Sequence, residues 1–145
     1  MKEKYELYEH VYQDSEMACY TLEELIKDLK NKDNKIKTIL EDTLKEYTKY
    51  KEKAKKKLEK NDQEIKEKGM MSKMMAGMGI KKEVINDNSD SSMADLLIKG
   101  ISMGSIHAEK LLKEYEKEVD KDQIKLLKDY LNFQEKTIEE LKKYL

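Results

Sequence analysis

Proline is absent from these 145 residues, tryptophan is absent too, and glycine occurs only five times. Without proline the commonest interruption of a helix is gone, and with so little glycine there are few places for tight turns. A loop-rich or strand-rich fold is therefore excluded in favour of helices. The single cysteine, Cys19, rules out an internal disulfide and a paired-thiolate zinc site. It falls on an apolar helix face, where it reads as a small buried hydrophobe. All 30 basic residues are lysine. Arginine is the side chain best suited to bidentate contacts with phosphate and guanine, so its absence argues against specific nucleic-acid or nucleotide recognition. No apolar run approaches the ~20 residues that span a bilayer. The opening Met1-Lys2-Glu3-Lys4 leads into acidic amphipathic sequence, not into the apolar core of a secretory signal. The expected location is the cytoplasm, with no transmembrane segment.

What the chain does contain is charge and helical rhythm. Charged residues make up 42% and hydrophobic residues 38%, which suits one core inside a solvated shell and a single domain over residues 1–145. Apolar residues recur at alternating three and four spacing in four long stretches, the mark of helices that bury one face. The expected helices cover about 4–29, 35–66, 70–83, 91–118 and 122–144. Asn31 to Asn34 supply turn chemistry after the first, Ser89 or Asp90 is placed to cap the fourth, and Asp120-Lys121-Asp122 turns the chain into the last. Residues 1–30 carry net −4 and residues 49–68 net +4, which favours antiparallel pairing of the first two helices.

The middle of the bundle is unusual. In the last helix Ile124, Leu127, Leu131, Gln134, Ile138, Leu141 and Leu145 form one stripe, and Gln134 alone is polar. On helical wheels the central inward positions are Ser15, Thr43, Tyr47, Gly104 and Gln134, a polar or small layer. Gly100, Gly104 and Ala108 lie four apart, so they form a smooth groove. A tyrosine ring packed over the glycines would fill it, with its hydroxyl bonded to Gln134, Ser15 or Thr43. A small apolar ligand is the alternative occupant.

Chemistry has little to work with. Dimetal bundles draw Glu-x-x-His from two helices, and that motif occurs nowhere here. No nucleophile, base and acid share a known spacing, and no glycine-rich phosphate loop is present, so an enzyme is not expected and no cofactor is implied. Met70, Met71, Met74, Met75 and Met78 give the short third helix a thioether face. It could fill the core, meet a protein partner or bind Cu(I), and the partner surface is the functional reading.

The order of helix, short turn, helix, the segment from Gly69-Met70-Met71-Ser72 to Gly79-Ile80, then Asn88-Ser89-Asp90 opening two more helices, resembles small bacterial ferritin-like bundle proteins. That resemblance implies an all-α, ferritin-like four-helix bundle with a short extra Met-rich helix between its second and third helices. Metal-binding members of such a family carry an acid where this chain has Lys99-Gly100-Ile101-Ser102-Met103-Gly104, so no ligand carries over. The expectation is a non-enzymatic structural or binding protein without a working dimetal site, acting through self-association or a protein partner. Two alternatives stand beside it. One is a metal protein with the unusual ligands Glu16, Glu46, His107 and Glu135; the other is a coat or surface assembly protein, with the lysine-rich end of helix two and the methionine segment as adhesive elements.

Overall fold

A computed structural model describes residues 4–66 and 70–145, although the side chains of residues 70–72 and 74 lie outside the description. Five helices follow one another: α1 (Glu6–Asp28), α2 (Lys37–Lys60), α3 (Met70–Asn86), α4 (Asp90–Tyr115) and α5 (Lys121–Lys142). Among the described residues there is no strand, so the observed class is all-α. No helix there is long and apolar enough to cross a membrane.

Local chemistry sets the helix ends. The Ser89 hydroxyl accepts from the Ser92 amide at 3.1 Å, and the Asp120 carboxylate accepts from the Gln123 amide at 3.0 Å, which satisfies amides that an N-terminus leaves open. The expected continuation of the second helix to residue 66 is corrected: α2 stops at Lys60. There the Asn61 side chain donates to the Lys57 carbonyl, and Asp62 takes a left-handed φ of 55°, which an α-helix cannot continue through.

Cross-helix pairs give the topology. Tyr5 meets Asn61 and Cys19 meets Thr48, so α1 and α2 are antiparallel. By the same logic α4 is antiparallel to α1, because Glu6 meets Tyr115 and His10 meets His107. Tyr50 reaches the Asp129 carbonyl while Tyr47 packs on Phe133, so α5 is antiparallel to α2. The Lys4 carbonyl takes a bond from Gln123, and Asp14 one from Tyr130. These pairs make α1 and α5 parallel. Thus α2 and α4 point the same way, and the chain crosses from one end of the bundle to the other between them, with α3 inside the crossover.

One core of buried side chains joins all five helices, from Leu7, Val11 and Leu25 through Leu40 and Leu58 to Ile80, Met93, Leu127 and Leu141. Burying each leucine is worth ~1.5–3 kcal/mol, which makes this core the main stabilising element. The crossover helix contributes on one side only. It buries Gly77, Ile80 and Val84 and leaves Met75, Met78 and Ile85 exposed on the other. It is fixed to α1 by the Lys73 ammonium, 2.6 Å from a Glu16 oxygen, and by Gly77, where a Cβ would lie 2.9 Å from the Tyr20 hydroxyl.

A second tie holds the crossover's far end. The Asp90 carboxylate accepts from the Asn34 amide at 3.0 Å and from the backbone amides of Lys35 and Ile36 at 3.1 and 3.3 Å. Asp90 therefore does more than open α4: it satisfies the first amides of the α2 approach, where Ile36 provides no side-chain cap of its own.

Candidate functional site

The polar layer at the bundle centre is organised by a residue of α1. Asp14 Oδ2 accepts from the Tyr130 hydroxyl at 2.5 Å and from Gln134 Nε2 at 3.1 Å, and the same Gln134 nitrogen donates to the Tyr47 hydroxyl at 3.2 Å. The Tyr47 ring stands edge-on to Tyr130 and to Phe133, with centroids 5.9 and 4.8 Å away, so packing as well as hydrogen bonding fixes the phenols. Gly104 of α4 closes the arrangement. A Cβ there would sit 2.5 Å from Asp14 Oδ1 and 2.7 Å from Oδ2, so only a hydrogen at that position leaves space for the carboxylate.

Charge and burial act together on the phenols. Burial first, and then the Asp14 charge, pushes both Tyr47 and Tyr130 well above the ordinary tyrosine range. Both therefore stay neutral and able to donate. Charge-assisted bonds to a carboxylate are the stronger kind, and here two of them converge on one oxygen. Gln134 Oε1 is buried and takes no hydrogen bond among the described residues.

Of the residues singled out from sequence, Tyr47 and Gln134 are brought together. Ser15 is fully buried at its inward position but is not part of their network: its hydroxyl turns back on its own helix, to the carbonyls of Val11 and Tyr12 at 2.5 and 3.1 Å. Thr43 is buried and lines a cavity beside Tyr47. The groove expected along Gly100, Gly104 and Ala108 divides into different surroundings. Gly104 lies under the Asp14 carboxylate where a tyrosine ring was expected, Ala108 is fully buried, and Gly100 faces open space with nothing within 4 Å of a Cβ.

Asp14 and Tyr130 were missed, yet both left a signal. Leu7, Val11, Asp14 and Ala18 follow the four-three-four rhythm of an inward stripe, so Asp14 occupies a core position in the pattern itself. Tyr130 stands three residues after Leu127 and four before Gln134, again on the buried seam.

Two spaces meet at Asp14. One, of about 260 Å³, lies beneath α3 and is lined mainly by apolar side chains, among them Met17, Leu22, Ile80, Leu97 and Ile101. The other, of about 810 Å³, is an outer groove between α1 and α4 that holds Glu6, His10, His107 and Tyr115. Asp14, Met17 and Gly100 line both. In the groove the imidazoles of His10 and His107 stack with centroids 4.8 Å apart.

The four unusual metal ligands do not converge. Glu16 is buried against Lys73, Glu46 pairs with Lys49 at 3.0 Å, His107 lies on His10, and Glu135 is exposed. Among the described residues no three His, Cys, Asp or Glu side chains are grouped as a metal ion requires. In the methionine helix, Met75 and Met78 are exposed, and the side chains of Met70, Met71 and Met74 fall outside the described residues.

Comparison with protein-family models, with curated proteins and with solved structures finds no match to this chain.

The raised phenols make alkaline stability a direct test of the layer. A tyrosine whose folded pKa exceeds its unfolded value contributes stability that is complete below the unfolded pKa of about 10 and is lost as pH rises toward the folded value. Stability should therefore fall steadily above about pH 10. Followed at 295 nm, the exposed tyrosines should ionise first, and Tyr47 and Tyr130 only together with loss of the helical circular dichroism. Complete phenolate absorbance in a still-helical protein would show that these two hydroxyls are not sealed in the core.

Proposed function

We propose that this chain is a non-enzymatic protein built on a ferritin-like four-helix bundle, and that it works in the cytoplasm by associating with a second copy of itself. Two antiparallel helix pairs joined by one long crossover support the ferritin-like reading. At the level where such bundles hold metal, this chain has a carboxylate, two phenols, an amide and a glycine.

The observation that carries the association is the outer face of α3. Met75, Met78 and Ile85 are 67%, 69% and 83% exposed, although Ile80 and Val84 on the opposite side are already buried. Large apolar side chains left in water on the outer side, even with Lys81 and Lys82 among them, favour cover there as well. Unbranched methionine adapts to many surfaces, which suits a face that packs on its own image about a two-fold axis. Charge supports a second copy as the occupant. The net charge is −1, so two copies meet with little net repulsion.

Sedimentation velocity on the full chain tests this reading. The protein should sediment as a dimer at micromolar concentration. The triple variant Met75→Glu, Met78→Glu, Ile85→Glu should be monomeric with unchanged helical content. A monomeric unsubstituted protein, or a triple variant that stays dimeric, overturns the reading.

A further inference from the structure

We propose that the cavity beneath α3 binds a small apolar amine, whose cationic head meets Asp14 and whose body enters beside Gly100. This goes beyond the dimer reading and does not depend on it.

The cavity has the size and lining for such a body. An apolar cavity of about 150 Å³ accepts benzene, and this one measures about 260 Å³, enough for one ring with a short side chain. Its walls come from α1, α2, α3, α4 and α5, and most of them are aliphatic. Polar atoms come from only a few residues, chiefly Asp14, Thr43 and Tyr47, the pattern of a site that orients a largely apolar ligand through a few contacts.

The head group follows from charge. Both bonds to Asp14 fall on Oδ2, from Tyr130 and Gln134, and Oδ1 accepts none among the described residues. Both donors are neutral, and among the described residues no lysine lines either the cavity or the outer groove. A carboxylate partly removed from water with no cation beside it is an unbalanced charge, and an ammonium group placed there restores the balance. Glu6 lines the outer groove together with Asp14, which favours a cation over an anion at the entrance.

Entry is set by Gly100, which lines both spaces and has nothing within 4 Å of a Cβ. A large side chain can be placed there without a clash, and it would fill the passage.

Titration calorimetry on the full chain decides the matter with three probes of nearly equal shape. They are 2-phenylethylamine, cationic at neutral pH; propylbenzene, its uncharged counterpart; and 3-phenylpropionate, the anion. The amine should bind saturably at one per chain, propylbenzene at least tenfold more weakly, and the acid not at all. Asp14→Asn should erase the preference for the amine over propylbenzene. Gly100→Leu should abolish binding of both with the protein fully folded, and Gly79→Leu, on the exposed side of α3, should change nothing. If Asp14→Asn fails to fold, the three probes and Gly100→Leu still decide. The proposal is overturned if the amine does not bind, if it binds no better than propylbenzene, or if Gly100→Leu binds as before.

Discussion

Replacing Gln134 with leucine is expected to destabilise the protein by about 1–3 kcal/mol, although it makes the α5 stripe wholly apolar. By burial alone the change should help, because leucine is the better core residue. The opposing effect comes from what Gln134 leaves behind. Its amide nitrogen supplies one of the two bonds to the Asp14 carboxylate and the bond to the Tyr47 hydroxyl. A buried polar group left without its partner keeps the full cost of its desolvation, and a charged one costs most. Urea denaturation of Gln134→Leu reads the balance. A companion Tyr47→Phe, Gln134→Leu double variant should recover part of the loss, since it removes the buried Tyr47 hydroxyl together with its donor. An unchanged or higher midpoint for the single variant would mean that the network contributes nothing to stability.

One turn apart on α4, two glycine-to-alanine substitutions should act in opposite directions. Gly100→Ala should stabilise by about 0.5–1 kcal/mol, because alanine has the better helix propensity and its methyl meets open space. Gly104→Ala gains the same propensity, yet its methyl would stand 2.5 Å from Asp14 Oδ1. A carboxylate at the end of a short side chain usually moves aside at little cost. This one is held by Tyr130 and Gln134, so moving it breaks both bonds, and a net loss of about 1–3 kcal/mol is expected. Thermal melts of the two variants side by side test the claim directly. Two shifts of the same sign would show that the carboxylate is free to leave.

Much of this was legible because helices declare themselves through spacing. The three-four rhythm located all five helices, and Ser89 and Asp120 marked two starts through side chains that can accept an amide proton. Tyr47 and Gln134 stood out in their stripes and do touch. Asp14 stayed hidden for a chemical reason: an acid in a stripe is ordinarily a solvated acid, and what holds this half-buried one against the core is a glycine, a phenol and an amide contributed by α4 and α5. No single-helix pattern contains that information. The end of α2 was overestimated because lysine-rich sequence has good helix propensity, whereas the stop depends on Asn61 and Asp62 folding back.

Asp90 also bears on the order in which this chain assembles. Each helical pair closes over a short loop, residues 29–36 and 116–120, so each pair is a fast, local event. The seam between the pairs is different, for Tyr115 to Glu6 and Tyr130 to Asp14 lie 109 and 116 positions apart. Loop-closure entropy makes such distant meetings slow until something shortens the search. The Asp90 clasp on the 29–36 loop spans only 54 to 56 positions, so a chain that makes this contact first faces two shorter closures instead of one very long one.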